Sequence, residues 1–211
     1  MTHPTLAFDS QFAGPCLGLD EVGYGPWAGP VVVCAVLITD FYNLQNLEGK
    51  VQDSKKLTPK KRETLFEALT THPNVTFNIG MAHVEEIDAL NVRRATCVAM
   101  ERAYDHVTFQ EVRTLLVDGT LPLTHPQAKV VPIVKGDTLS FSIACAAIIA
   151  KVTRDRLMYQ LHKDFPHYGW NTNVGYGTTS HQEGLQRAGV SPHHRKSYAP
   201  IQALLHAGKM T

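Results

Sequence analysis

The sequence predicts an α/β domain. Apolar runs of strand length alternate with segments of helical period, and turn residues separate them. Val31-Val32-Val33-Cys34-Ala35-Val36-Leu37-Ile38 reads as a buried strand. Ser140 to about Lys163 carries the longest helical pattern. Its Ala144, Cys145, Ala146, Ala147 and Ala150 are small enough to let a helix sit close against a sheet.

In chain order, residues 1–14 read as a polar, loosely ordered lead. Cys16 to Asp20 is a first strand and Val31 to Ile38 a second, followed by a polar, irregular linker from Thr39 to Asp53. Thr58-Pro59 is an N-cap with proline at the first helical position, opening a helix to about Leu69. Val75 to Met81 alternates as a strand. Glu85 to Tyr104 is helical with a break near Asn91. Thr114 to Val117 and Val130 to Val134 are short strands. Asp118-Gly119 closes the first, and Lys135-Gly136-Asp137 closes the second. Phe165 to Thr179 reads as loop. Ser180-x-x-Glu183 is a capping box, Gly189 suits the end of that helix, and a last short helix covers Ile201 to His206. Length argues for one domain over 1–211, with about 155–211 as a helical C-terminal extension of it.

A chain of 211 residues, 44% hydrophobic and 18% charged, is globular and not disordered. No apolar run reaches membrane-spanning length, and the N-terminus lacks the pattern of a signal peptide. Cys16, Cys34, Cys97 and Cys145 are far apart in apolar segments. That suggests buried thiols in a reducing cytoplasm, not a disulfide framework or a zinc site. A net charge of +1 gives no global basic field, yet Lys55, Lys56, Lys60, Lys61 and Arg62 cluster. So do His193, His194, Arg195 and Lys196. Either cluster can bind phosphate or serve as a solvated face.

The chemistry concentrates in Leu17-Gly18-Leu19-Asp20-Glu21-Val22-Gly23-Tyr24-Gly25-Pro26-Trp27-Ala28-Gly29-Pro30. Two adjacent acids at the end of an apolar strand are costly unless something pairs with them. The glycines that follow allow backbone to come close to a ligand. An ordinary acidic turn and a functional site both fit this stretch taken alone. Gly23-x-Gly25-x-x-Ala28 matches a dinucleotide fingerprint, but Gly29-Pro30 would stop the helix that fingerprint requires.

Asp118 and Asp137 sit at two further predicted strand ends, the edge where α/β proteins build sites. Asp20, Glu21, Asp118 and Asp137 can therefore meet. Without a cation they would repel one another and bind protons. An all-carboxylate set favours Mg²⁺ or Mn²⁺ over zinc, and suits two-metal hydrolysis of phosphodiesters. Neighbours in a strand face opposite ways, so Asp20 and Glu21 share a site only if the strand ends or twists there.

These motifs closely resemble the bacterial ribonuclease HII family (type 2 ribonuclease H) along nearly the whole chain. The resemblance rests on Asp20-Glu21-Val22-Gly23 with Gly25-Pro26 and Gly29-Pro30, Asp53-Ser54-Lys55-Lys56-Leu57, Val117-Asp118-Gly119 and Lys135-Gly136-Asp137. It continues through Ser142-Ile143-Ala144, Ala150 to Asp155, Gly175-Tyr176-Gly177-Thr178 with His181, and His194-Arg195-Lys196-Ser197-Tyr198. It implies a ribonuclease H-like fold, a mixed central sheet flanked by helices. It also implies a monomeric endonuclease acting on RNA–DNA hybrids and on DNA duplexes containing ribonucleotides, in ribonucleotide excision and primer removal, leaving 3′-hydroxyl and 5′-phosphate ends. By resemblance, Asp20, Glu21, Asp118 and Asp137 bind the catalytic metals. Lys55, Lys56, Arg195 and the Gly23-Tyr24-Gly25 turn bind substrate, and Tyr176 packs on the sugar beside the ribonucleotide. The family usually has arginine where this chain has Tyr24, and often lysine where it has Val174. Tyrosine cannot replace a forked, charged phosphate contact, so weaker junction selectivity is expected.

Two other readings compete. A glycosidase with paired carboxylates would normally carry more aromatic platforms and would survive chelation. A catalytically silent nucleic-acid binder is suggested by Tyr24, but all four acids are present.

Overall fold

One mixed five-stranded sheet positions everything else. The computed structural model describes residues 3–12, 14–105 and 112–207. The strands are β1 (Cys16–Val22), β2 (Val31–Ile38), β3 (Val75–Ala82), β4 (Thr114–Asp118) and β5 (Lys129–Ile133), in the spatial order β3-β2-β1-β4-β5. β1 is central. It runs antiparallel to β2 and parallel to β4, while β2–β3 is antiparallel and β4–β5 parallel. The register pairs Leu19 with Val117, so Asp20 and Asp118 follow side by side on adjacent parallel strands.

The eight helices among the described residues are α1 (Leu6–Asp9), α2 (Pro59–Thr70), α3 (Val84–Leu90), α4 (Val92–Tyr104), α5 (Phe141–Asp164), α6 (Trp170–Asn173), α7 (Thr179–Ala188) and α8 (Ala199–Ala207). α4 covers one face of the sheet, where Ala95, Ala99 and Met100 meet Leu17, Leu19 and Val33. α5 covers the other, with Ala144, Ile148 and Ile149 against Cys34 and Val36, and α2 lies beside it. The small residues of α5 let it approach closely. A Cβ on Gly18 would fall 2.4 Å from the Ser142 carbonyl carbon, so β1 must carry glycine where α5 begins. Beyond the sheet, α5 continues into a smaller core formed by Met158, Tyr168, Trp170, Leu185 and Ile201.

β2 has the expected bounds, Thr58 caps α2, and Asn91 breaks the α3–α4 pair with φ 65° while its side chain accepts from the Arg94 N–H at 3.1 Å. Several expectations are corrected. The lead is not loose: Thr5 caps α1, and the buried Asp9 accepts from the Ser142 N–H at 2.8 Å, tying α1 to the start of α5. Residues 1, 2 and 13 of that lead lie outside the described residues. The 39–53 linker contains a 3₁₀ turn, Tyr42–Leu44, and buries Leu44, Leu47 and Val51. Phe165 to Thr179 holds the 3₁₀ turn Pro166–Tyr168 and α6, which bury Tyr168 and Trp170. Thr178, not Ser180, caps α7, because its hydroxyl is the one that reaches the His181 N–H; Gly189 ends the helix as expected.

Candidate active site

β1 does not end at Asp20, as its sequence suggested, but runs on to Val22. β4 stops at Asp118, so Glu21 stands past the end of its neighbouring strand. That stagger resolves the problem of two adjacent acids. Asp20 lies on the α5 face beside Asp118, and Glu21 borders the same cleft from beyond the end of β4. Asp137 is not at a strand end either. β5 ends at Ile133, and a 3₁₀ turn, Gly136–Thr138, presents Asp137 just before α5. The Gly136 N–H donates to Asp118 Oδ1 at 2.6 Å, which locks this turn onto the end of β4.

All four carboxylates line one open cleft of about 260 Å³, together with Ser54, Lys55, Lys151 and Tyr176. Burial, reinforced by Glu21, Asp118 and Asp137, holds the Asp20 carboxyl well above its ordinary range. Burial and Asp118 push Glu21 up to about 7, and Asp137 is raised for the same two reasons. Glu21 Oε2 is buried and has no hydrogen-bond partner, while Asp20 Oδ1 accepts only the adjacent Glu21 N–H, at 2.7 Å. Folding alone leaves these groups unsatisfied, and a bound cation would compensate them. The donors are hard oxygens, and no histidine or cysteine lines the cleft, so the set fits Mg²⁺ or Mn²⁺. Among the described residues, no three His, Cys, Asp or Glu side chains stand together closely enough to hold a metal ion between them. Mg²⁺ characteristically takes one or two carboxylates and fills its shell with water and phosphate, which suits an open cleft.

The other expected substrate residues fall into two groups. Lys55, Tyr24 and Tyr176 are at the cleft or its rim, Tyr24 with 40% and Tyr176 with 49% of its surface exposed. Gly25 faces the Tyr176 ring, and a Cβ there would lie 3.5 Å from ring carbon Cε1. Lys56 is exposed on the adjoining surface beside Asp53 and Thr138. Arg195 is different. It is fully buried and donates to the carbonyls of Gly23, Tyr24 and Gly29 and to the Tyr198 hydroxyl, so its guanidinium has no exposed face for substrate. Its neighbour His194 is also buried, so the 193–196 cluster is not the basic surface that the sequence suggested. Arg62 leaves the other cluster in the same way. It donates to the Ser54 and Leu57 carbonyls at 2.9 and 3.0 Å and holds the turn that carries Lys55.

Sequence reasoning missed the groups that aim these loops. Arg154, fully buried in α5, donates to the carbonyls of Pro30, Ala28 and Val174 at 2.9, 3.1 and 2.9 Å. The Tyr176 carbonyl lies 2.9 Å from His181 Nδ1, and His181 Nε2 lies 3.0 Å from His194 Nε2. The Ser191 N–H donates to His194 Nδ1 at 3.0 Å. His194 therefore carries its proton on Nε2 and donates to His181, whose Nδ1–H donates to Tyr176, and both rings stay neutral. Burial agrees, lowering His181 and taking His194 down to about 3. The Arg154 signal was a charged residue at an inward position of a helix of small residues.

Residues 17–201 match the family model described as Ribonuclease HII. A curated Ribonuclease HII from Wolbachia pipientis subsp. Culex pipiens (strain wPip) is 46% identical over 206 residues, covering 97% of this chain and 100% of its own length. Among solved structures, ribonuclease H2 from Pyrococcus horikoshii OT3 superposes with a TM-score of 0.74 at 25% identity, covering 94% of this chain and 100% of that one. Bst-RNase HIII in complex with Mn²⁺ superposes with a TM-score of 0.73 at 17% identity, over 98% of this chain and 74% of that one, and shows the shared fold. With a mixed sheet over which three acids of β1 and β4 and a fourth from a 3₁₀ turn line one cleft, and a match across nearly its whole length, the chain belongs to the ribonuclease HII family and is a nuclease of the ribonuclease H type.

Proposed function

We propose that this protein is a monomeric, cytoplasmic endoribonuclease. It cuts the RNA strand of RNA–DNA hybrids, and cuts 5′ of ribonucleotides embedded in duplex DNA, leaving 3′-hydroxyl and 5′-phosphate ends. The observation that carries this reading is the cleft in which Asp20, Glu21, Asp118 and Asp137 meet, with the proton affinities of Asp20, Glu21 and Asp137 raised and one Glu21 oxygen unpartnered. Those four residues would hold Mg²⁺ or Mn²⁺, and the Mn²⁺ complex of the Bst neighbour supports this choice. Bound divalent ions would supply an activated water and charge stabilisation at the leaving oxygen.

The chain's own residues supply position. Lys55 on the cleft wall and Lys56 beside it engage backbone phosphates flanking the scissile bond. The Tyr176 ring packs against the sugar next to the ribonucleotide, where the Gly23-Tyr24-Gly25 turn comes close enough to meet a 2′-hydroxyl. Tyr24 offers one neutral hydroxyl at the rim, so junction selectivity is weaker than a forked cation would give.

The test compares two labelled duplexes, DNA with one embedded ribonucleotide and a continuous RNA–DNA hybrid, each with Mg²⁺, Mn²⁺ or EDTA. Metal-dependent cutting of both, 5′ of the single ribonucleotide, is expected. Cutting of the hybrid alone would remove junction recognition from the function. Binding without cutting would identify a silent relative, and turnover that persists in EDTA would overturn the metal assignment.

A further inference from the structure

Two buried guanidinium groups occupy one side of the loop that follows the catalytic acids. Arg195 donates to the Tyr24 carbonyl at 2.9 Å, to the Gly29 carbonyl at 2.9 and 3.0 Å, and to the Gly23 carbonyl. Arg154 takes the Ala28 and Pro30 carbonyls of the same loop. Five of the eight carbonyls between Gly23 and Pro30 are thus consumed from behind by two side chains. The N–H groups of Gly23, Tyr24 and Gly25, by contrast, donate to no described residue. Successive free N–H groups in a turn form a concavity suited to an anion.

The charges are as unusual as the geometry. Among the described residues, neither arginine pairs with a carboxylate; the nearby Asp155 is taken by Lys151 at 2.7 Å and Arg62 at 3.5 Å. Burying a charge is expensive, and here carbonyl dipoles, the Tyr198 hydroxyl and the more distant Asp155 and Asp88 carboxylates offset it. Arg154 is pushed down to about 10 by burial and by Arg195, so it stays charged at neutral pH.

The geometry points to Arg154 and Arg195 as positioning residues that make the Gly23–Gly25 turn a cradle for a phosphodiester oxygen of the duplex. They fix the carbonyls inward, leave the N–H groups free, and set two positive charges behind them. This assignment rests on the nuclease reading above, and it explains why a turn lacking a basic side chain of its own still favours an anion.

The test uses the full-length protein with a fluorescent RNA–DNA hybrid in EDTA, so that binding is read without cleavage. Arg195→Lys keeps the charge, but a single ammonium cannot span three carbonyls. Hybrid affinity is expected to fall about tenfold, one well-oriented charge-assisted contact. In the same variant, Mn²⁺ affinity by calorimetry should stay within about twofold, because no carboxylate is touched. Arg154→Lys should behave alike. Unchanged hybrid affinity in either folded variant overturns the proposal, as does an equal loss of Mn²⁺ affinity, which would mean general collapse of the site. A measurement independent of variants is the amide NMR spectrum of the unmodified protein. Adding the hybrid should shift the Gly23, Tyr24 and Gly25 resonances, and unmoved resonances overturn the cradle. Failure of the unmodified protein to bind the hybrid at all would defeat the underlying nuclease reading, so the two failures are told apart.

Discussion

The carboxylate cleft and the buried clamp beside it solve opposite problems. In the cleft, burial and mutual repulsion raise Asp20, Glu21 and Asp137, and one Glu21 oxygen is left without a partner. In the clamp, Arg154, Arg195, His181 and His194 are equally hidden, yet their polar atoms reach carbonyls, a hydroxyl or each other. One region is completed by folding and the other waits for a ligand. The contrast locates function better than burial does: a buried polar group that folding satisfies is architecture, and one that it leaves unsatisfied is a site.

The largest break is Asp118→Asn. It removes one carboxylate from the cleft, and cleavage should fall at least about a thousandfold, because several kcal/mol of transition-state stabilisation would depend on the ions these acids are proposed to hold. The metal-free variant should nevertheless melt at or above the temperature of the original protein. A lower melting temperature would mean that the cleft contributes to stability as the clamp does.

Next is the clamp itself. Trp170 is fully buried, stacks on Tyr168 at 4.9 Å and donates to His181 at 3.2 Å. Trp170→Ala should cost about 3–5 kcal/mol in denaturant unfolding. A loss under about 1 kcal/mol would show that the helices around it are not what supports the loops.

The pH dependence sharpens the comparison because the regions have opposite signs. Glu21 rises from 4.5 to about 7 on folding, so its share of stability is full below about 4.5 and is lost as pH climbs through 7. His194 falls from 6.5 to about 3, so its share is present above 6.5 and is lost as pH drops toward 3. In metal-free protein, Glu21→Gln should therefore be more stable than the original at pH 8, by about 1.4 kcal/mol for each unit of raised pKa. The advantage should disappear at pH 4. A difference that does not change with pH would sink the raised Glu21.

The smallest effect is at the rim. Tyr24→Arg should tighten hybrid binding by a fewfold, roughly one partly solvated phosphate contact of about 1 kcal/mol. It should also steepen the salt dependence by about one counterion. Unchanged or weaker binding would mean that Tyr24 is not a deficit.

Much of this was legible in the residues. The buried strand over Val31–Ile38, the Thr58-Pro59 start of α2, the break at Asn91 and the long small-residue α5 are local matters, set by hydrophobic period, caps and proline. The four acids stood out because charge beside an apolar strand needs a reason. Less legible was whatever depends on a distant partner. Phe165 to Thr179 looked like loop because its helical pieces are single turns, stabilised by packing on α5 and α7. Ser180 and Thr178 both looked like caps, and only the backbone path chose between them. Arg195 and Arg62 looked like surface cations, since a sequence does not reveal which arginine will find carbonyls to fill its fork.

By itself, then, the sequence determined the strands and the long helices, the acidic set and the hard-oxygen chemistry of that set, because each follows from neighbours along the chain or from side-chain type. Tertiary structure alone decided that β1 outruns β4 by enough to bring Glu21 to the cleft beside Asp20, that Asp137 reaches it from a 3₁₀ turn, and that two arginines face inward. Those outcomes depend on strand register and on carbonyls more than a hundred residues away, and no local pattern encodes either.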